Sequence, residues 1–153
     1  TDIEIPSSVI SIGEEAFCAC EALTTLTLKE GLVSIGGEAF AYCKVLKAVS
    51  LPDSLKEMGA KAFFKCSKLE TVTIGAGIAE IKSETFAYCA ISTLTVPGNV
   101  KTIGKSAFYK NHLYSLDLKE GVVTACADAF GSCRGYEVSL PDSLEFSCSA
   151  FNG

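Results

Sequence analysis

Hydrophobic and polar residues alternate in seven short segments of the chain, which are spaced by 22 or 23 residues. Each segment holds two apolar residues that stand two positions apart, with polar residues beside and between them. This alternation has the period of a strand with one buried face. We therefore predict seven strands, paired in parallel between consecutive repeats. The apolar positions are Ile3/Ile5, Leu26/Leu28, Val49/Leu51, Val72/Ile74, Leu94/Val96, Leu116/Leu118 and Val138/Leu140.

A phenylalanine recurs with nearly the same period, and a cysteine usually follows it three residues later. Asn111 takes the place of the cysteine in one repeat. A fixed period of about 20 to 50 residues is typical of a solenoid, in which each repeat forms one coil. We expect the phenylalanines to stack in the core, with the cysteines facing inward beside them. These ladder residues are Phe17, Phe40, Phe63, Phe86, Phe108, Phe130 and Phe151, with Cys20, Cys43, Cys66, Cys89 and Cys133.

The stretch between each strand and its phenylalanine has a pattern of its own. Turn-forming residues follow the strand, as in Pro6-Ser7-Ser8, because their backbone preferences suit tight turns. A shorter apolar pair comes next, as in Val9 and Ile12, and then often a glycine and a small residue. We interpret the last part as one turn of α- or 3₁₀-helix on the outer side of the coil. The fourth repeat departs from the pattern, because it has lost a residue near Ile91.

The combined pattern is specific, since residues 5–23 follow I-P-x-x-V-x-x-I-G-x-x-A-F-x-x-C-x-x-L. This pattern resembles the BspA-like leucine-rich repeats over essentially the whole chain. The resemblance implies a right-handed, α/β-type but β-rich solenoid of about six to seven coils, with one parallel sheet and short helical or irregular turns. We therefore expect residues 1–153 to form a single leucine-rich repeat domain. Because the pattern starts and stops within a repeat, we also expect a longer array.

The cysteines favour packing over chemistry. Asn111 at the ladder position indicates that a hydrogen bond to the backbone is useful there. We interpret the ladder cysteines as small buried thiols. Disulfides along the ladder are disfavoured because its side chains point in parallel, and a zinc site has much closer ligand spacing. Cys126 and Cys148 fall at nearly equivalent positions of adjacent coils, so a disulfide between them is a further hypothesis.

The polar residues of the strands form one candidate surface for a protein partner. They flank the buried row and are mostly Thr and Ser, which gives a flat and weakly charged face. The alternative is that β-branched Thr simply suits a solvated strand face. The candidate residues are Thr25, Thr27, Ser50, Thr71, Thr73, Thr93, Thr95, Ser115, Asp117 and Glu137.

Aromatic residues one or two positions after the core phenylalanines form a second candidate surface. Exposed aromatic side chains are enriched in protein interfaces. The alternative is that these rings only pack against the outer side of the coil. They are Tyr42, Phe64, Tyr88 and Tyr109.

Composition and motifs point away from catalysis. The net charge of −5 disfavours nucleic acid and anionic membranes as partners, and no apolar run is long enough to span a bilayer. His112 is the only histidine and has no nucleophile at a functional spacing, and we find no cofactor or metal motif. We expect a non-enzymatic protein–protein interaction module. The resemblance implies an adhesin-like protein at a microbial cell surface; the alternative is a scaffold subunit of a larger assembly, in an organelle or inside the cell.

Overall fold

Each of the seven alternating segments forms a parallel strand, as predicted. The structure is a computed structural model that describes residues 1–133, 137–146 and 149–152. The pairing register is one full repeat, so that Ile3 lies beside Leu26 and Leu94 beside Leu116. This first strand row consists of β1 (Asp2–Ile5), β3 (Thr25–Leu28), β5 (Ala48–Ser50), β7 (Thr71–Thr73), β9 (Thr93–Val96), β11 (Ser115–Leu118) and β13 (Glu137–Ser139).

A second row of two-residue strands follows the turn in every coil, so the prediction of a single sheet is wrong. A β-turn connects the two rows; in the first coil the Val9 N–H donates to Pro6 O at 3.0 Å. Each of the first six short strands buries its second residue, such as Ile12 or Ile35. The second strand row consists of β2 (Ser11–Ile12), β4 (Ser34–Ile35), β6 (Glu57–Met58), β8 (Glu80–Ile81), β10 (Thr102–Ile103), β12 (Thr124–Ala125) and β14 (Glu145–Phe146).

The described residues contain no helix, so the expected helical turn before the phenylalanine and the α/β class are wrong. The molecule is a β-solenoid of about six turns. We number the coils by their phenylalanines at positions 17, 40, 63, 86, 108 and 130, followed by a partial seventh. The segment around each phenylalanine, which we call the phenylalanine turn, is a series of tight turns.

The hydrogen bonds of the phenylalanine turn explain why it is not helical. In coil one the N–H groups of Glu15, Phe17 and Ala19 donate to carbonyl oxygens of coil two at 2.8–2.9 Å. The N–H groups between them donate three residues back, as from Cys18 to Glu15 O. Because every second donor points to the next coil, no i→i−4 ladder can form. The same alternation recurs in all six numbered coils.

Residues two positions before and two after the phenylalanines of the six numbered coils have left-handed backbone conformations. Their φ angles lie between 54° and 61°, although none of them is glycine. Such conformations are uncommon for residues with a side chain, so the bonds between coils must hold them. The residues are Glu15, Ala19, Glu38, Tyr42, Lys61, Lys65, Glu84, Tyr88, Ser106, Lys110, Asp128 and Ser132.

The core phenylalanines form one continuous stack through the solenoid. Neighbouring ring centroids are 5.2–5.5 Å apart, and their planes deviate by 3–16°. The five inner rings are fully buried, whereas Phe17 and Phe151 at the two ends are half-buried. This stack, with the leucine and valine side chains of the strands, forms one core along the molecule.

The last strand of the first row departs from the predicted burial. Val138 and Leu140 are each 40% exposed, although their counterparts Leu116 and Leu118 are buried. Among the described residues, β13 pairs only with β11, so no strand is described on its other side. Val138 and Leu140 therefore lack the cover that β13 itself gives to Leu116 and Leu118.

Candidate functional site

The polar residues of the first strand row lie on one surface, which we call the strand face. Most of the candidate residues are exposed, and Thr27, Ser115 and Asp117 are half-buried. Their register is one repeat, so Thr93 lies beside Ser115 and Thr95 beside Asp117. The strand face therefore presents columns of hydroxyl groups that the sheet holds in fixed positions.

The middle of the strand face contains a shallow groove of about 340 Å³. Its polar lining comes from Thr71, Thr73, Thr93, Thr95 and Ser115. None of these side chains carries a charge, so the groove offers hydroxyl donors and acceptors. The charges of the face lie toward its two ends: Asp2 and Glu4 are in β1, and near the C-terminal end Asp117 Oδ2 pairs with Lys119 Nζ at 2.6 Å.

The four aromatic candidates form a zigzag ladder on the outer side of the phenylalanine turns. Tyr42, Phe64, Tyr88 and Tyr109 contact one another edge to face, with centroid distances of 5.6–5.7 Å and interplanar angles of 72–82°. The rings come alternately from the second and the first position after the core phenylalanine, which lets each fit between its neighbours. Phe64 is buried, whereas Tyr88 remains 37% exposed.

Lysine side chains cover this aromatic ladder, a feature that the sequence analysis did not select. Lys65 Nζ lies 5.2–5.6 Å from the ring centroids of Tyr42, Phe64 and Tyr88. Lys110 Nζ lies 5.3 Å from that of Tyr88 and 5.5 Å from that of Tyr109. All of these distances between ammonium nitrogen and ring centroid are within the range of cation–π contacts. Aligning the repeats at the second position after each phenylalanine could have revealed the alternation of Tyr and Lys.

Four of the five ladder cysteines donate a hydrogen bond to the phenylalanine carbonyl of the preceding coil. Cys66 Sγ lies 3.2 Å from Phe40 O, and Cys89 Sγ lies 3.3 Å from Phe63 O. The thiols are free, and those at the ends, Cys20 and Cys133, are only half-buried. Each of these bonds links two adjacent coils, and the same contact recurs at Cys43 and Cys133.

Their surroundings keep the thiols of Cys66 and Cys89 protonated, whereas the hydrogen bond with Cys66 lowers the pKa of the Cys43 thiol. The neighbouring Cys43 thiol and burial both raise the pKa of Cys66. Burial raises the pKa of Cys89 to about 12. Because the thiolate is the nucleophile and the metal ligand, these buried thiols are poorly suited to either role. Within the described residues, no group of three or more His, Cys, Asp or Glu could hold a metal ion.

Asn111 makes three hydrogen bonds, whereas the thiols of Cys43, Cys66 and Cys133 at the same position make one each. It is 1% exposed, and its Nδ2 donates to Phe86 O and Phe108 O, both at 2.9 Å. Its Oδ1 accepts from the backbone N–H of Ile91 in coil four at 3.0 Å. Asn111 therefore binds backbone groups of two coils.

The bond to Ile91 compensates for the residue that coil four lacks. In the 23-residue coil three, the equivalent N–H, that of Leu69, donates three residues back to Cys66 O at 2.9 Å. Ile91 stands only two residues after Cys89, so this turn cannot form. Asn111 of the next coil supplies the missing acceptor.

A recess of about 430 Å³ lies beside this shortened segment. Tyr88, Lys110 and His112 contribute to its lining together with the hydroxyl groups of Ser67 and Ser132. His112 is exposed there, close to the aromatic ladder. The proposed Cys126–Cys148 disulfide cannot be placed, because Cys148 lies outside the described residues.

The described part of the chain has no helix that could cross a membrane. Its solenoid of leucine-rich coils defines the class of protein, and comparison with family models identifies the family. Residues 1–113 and 35–153 match the BspA type leucine rich repeat region, in six copies. The chain belongs to this family, which is typically non-enzymatic. No curated protein matches the sequence.

Several bacterial proteins of known structure share the fold. The pneumococcal vaccine antigen PcpA is 23% identical, with a TM-score of 0.67 over 94% of this chain and 51% of that one. A leucine rich cell surface protein from Faecalibacterium prausnitzii A2-165 is 23% identical, with a TM-score of 0.71 over 100% of this chain and 52% of that one. The T. pallidum leucine rich repeat protein TpLRR is 22% identical, with a TM-score of 0.60 over 92% and 70%. The chain thus spans about half the length of the first two.

Proposed function

We propose that the chain is a non-enzymatic interaction module that binds a protein partner through its strand face. The observation that carries this proposal is the set of exposed Thr and Ser side chains in register along the first strand row. A parallel sheet holds their backbones, so binding orders little of the protein, which reduces its entropic cost. The groove around Thr71 and Thr93 gives a partner side chain a place to insert.

We further propose that the module belongs to an adhesin-like surface protein. One of its structural relatives is described as a cell surface protein and another as a vaccine antigen, which supports this setting. The alternative setting is a scaffold subunit of a larger assembly, which would use the same strand face. Co-purification with other proteins at fixed stoichiometry would favour that alternative.

The test compares two double substitutions that add the same charge and bulk. Thr71→Arg with Thr93→Arg alters the centre of the strand face, on adjacent coils. Thr102→Arg with Thr124→Arg is the control, because these residues also occupy corresponding positions on adjacent coils, but in the second strand row. Binding to a panel of purified extracellular-matrix proteins is measured by surface plasmon resonance, with circular dichroism to verify folding.

We expect the strand-face variant to lose at least about tenfold in affinity for any protein of the panel that binds, as for substitutions at the centre of an interface. The control should bind like the unmodified chain. Equal losses in both variants, or none in the strand-face variant, would refute the assignment of the site. Absence of binding across the whole panel would refute the adhesin-like setting.

A further inference from the structure

The segment that follows the phenylalanine turn carries basic residues in coils two, three and five, although the whole chain has a net charge of −5. It comprises the residues from two to five positions after each core phenylalanine. In the described part of this region the only acidic residue is Glu21, and Lys44 neutralises it at 2.7 Å. We call this surface the basic corner; its members are Lys44, Lys65, Lys68, Lys110 and His112.

Three of these lysines have no acidic partner. Lys65, Lys68 and Lys110 are exposed, and no carboxylate of the described residues lies within ion-pair distance of them. Lys65 and Lys110 instead lie over the aromatic ladder, with Tyr88 contacted by both. Since the rings restrain these two flexible side chains, their ammonium groups lose less freedom when an anion binds.

Acidic residues of coils one, two, four and six lie on the other side of the aromatic ladder, two positions before the core phenylalanine. Phe64 shows the arrangement, because Lys61 reaches its ring from two positions before the core phenylalanine and Lys65 from two positions after it. The position of Lys61 is occupied by an acidic residue in four other coils, namely by Glu15, Glu38, Glu84 and Asp128. The ladder thus separates an acidic column from the basic corner.

The recess beside coil four adds neutral donors to the basic corner. Its lining includes the hydroxyl groups of Ser67 and Ser132 as well as Lys110 and His112. A carboxylate that enters this recess meets one fixed ammonium group and several hydrogen-bond donors. Charge and hydrogen bonding therefore favour the same kind of ligand group.

We propose that the basic corner binds an acidic peptide segment of a protein partner, with carboxylates on Lys65 and Lys110. These lysines occupy equivalent positions two coils apart, which corresponds to about 10 Å at one strand spacing per coil. A polyproline II peptide advances about 9 Å per three-residue turn, so acidic residues at every third position match this spacing. An anionic glycan fits less well, because neighbouring rings and ammonium groups already cover the aromatic faces on which a sugar ring would stack.

The test uses the full chain and a fluorescent peptide of repeated Glu-Pro-Ala, with Gln-Pro-Ala as the uncharged control peptide. Binding is followed by fluorescence anisotropy at low and at physiological salt. Lys65→Gln with Lys110→Gln removes the proposed contacts. Lys56→Gln with Lys101→Gln is the matched control, since these exposed lysines are also two coils apart but directly precede β6 and β10 of the second strand row.

We expect the acidic peptide to bind in a salt-sensitive manner, and the Lys65/Lys110 variant to weaken it by about three- to tenfold. The affinity of the Lys56/Lys101 variant for the peptide should stay within about twofold of that of the unmodified chain, because salt screens charges that lie outside the basic corner. Tyr88→Leu keeps every charge but removes the one ring that both Lys65 and Lys110 contact, so it should weaken peptide binding by about two- to threefold.

Four results would overturn the proposal. These are no binding at low salt, equal binding of the Gln peptide, equal losses in the two lysine variants, and tighter binding of a uronic acid oligomer than of the peptide. Unchanged affinity in Tyr88→Leu would overturn the role of the rings. The strand-face variant Thr71→Arg with Thr93→Arg should bind the peptide normally, so this proposal and the strand-face proposal fail independently.

Discussion

The replacement of Asn111 by cysteine would restore the residue that the other coils carry, yet we expect it to destabilise the protein. Substitutions toward the consensus of a repeat usually stabilise. Here the thiol could donate only one weak bond, as Cys89 does to Phe63 O at 3.3 Å. The backbone N–H of Ile91, which is fully buried, would lose its acceptor.

The expected cost follows from these lost contacts. An unsatisfied buried donor costs about 1–3 kcal/mol, and each net hydrogen bond contributes about 1 kcal/mol. We therefore expect Asn111→Cys to lower the free energy of unfolding by roughly 2–4 kcal/mol. A loss of this size is a large part of the roughly 5–15 kcal/mol typical of a folded domain.

Urea unfolding followed by circular dichroism would measure this loss, with amide hydrogen exchange at Ile91 as a local probe. A second variant isolates the cause: an alanine inserted after Ala90 restores the full length of coil four and lets Ile91 bond to its own turn. In that background Asn111→Cys should cost much less, so the two changes should be strongly non-additive. Equal costs in both backgrounds, or a more stable Asn111→Cys variant, would refute the compensation by Asn111.

Three further predictions concern the core and the close contacts between coils. Phe63→Ala should cost about 3–5 kcal/mol in urea unfolding, because its ring is fully buried between two others at 5.2 and 5.4 Å; a cost under about 1 kcal/mol would contradict the stack. Burial raises the pKa of the Cys89 thiol from 9.0 to about 12, so the stability that this thiol contributes is complete below pH 9.0 and falls by about 1.4 kcal/mol per pH unit between these two values. Between pH 9.0 and 12, the free energy of unfolding of Cys89→Ala should therefore fall less steeply with pH than that of the unmodified chain, and equal slopes would contradict the assignment. Gly98→Ala should destabilise the protein by about 1–3 kcal/mol, because the added Cβ collides with the backbone carbonyl of Glu120. Gly13→Ala should be tolerated, because its added Cβ meets open space, and similar thermal midpoints for the two variants would contradict this difference.

The fold was predictable where one residue type repeats at one position. The apolar pairs located the first strand row, because alternation over three or four residues is a usable signal. The second strand row was missed because strands of two residues, such as Ser11–Ile12, are too short to show alternation. The phenylalanine turn was misread as helical because Glu15 and Lys61 give no sign of a left-handed backbone, which usually selects glycine or asparagine.

The candidate surfaces were predictable to different degrees. The strand face follows directly from the alternation, since every outward residue is the neighbour of an inward one. The basic corner does not, because Lys65 and Lys110 are 45 positions apart and only the stacking of coils three to five brings them to one ladder. The function of Asn111 was equally hidden, since it depends on the length of the preceding coil.

The hydrogen bonds between phenylalanine turns give the solenoid a direction. At every interface the N–H groups belong to the earlier coil and the carbonyl oxygens to the later one, as from Phe17 to Ala39 and from Phe130 to Ala150. The peptide dipoles of the turns therefore add along the axis, as they do in a helix, but with the negative end at the first coil. A further coil can add to that end only if it offers N–H groups. Two copies of the first coil would oppose carbonyl to carbonyl, so growth by these bonds is head to tail and never two-fold symmetric.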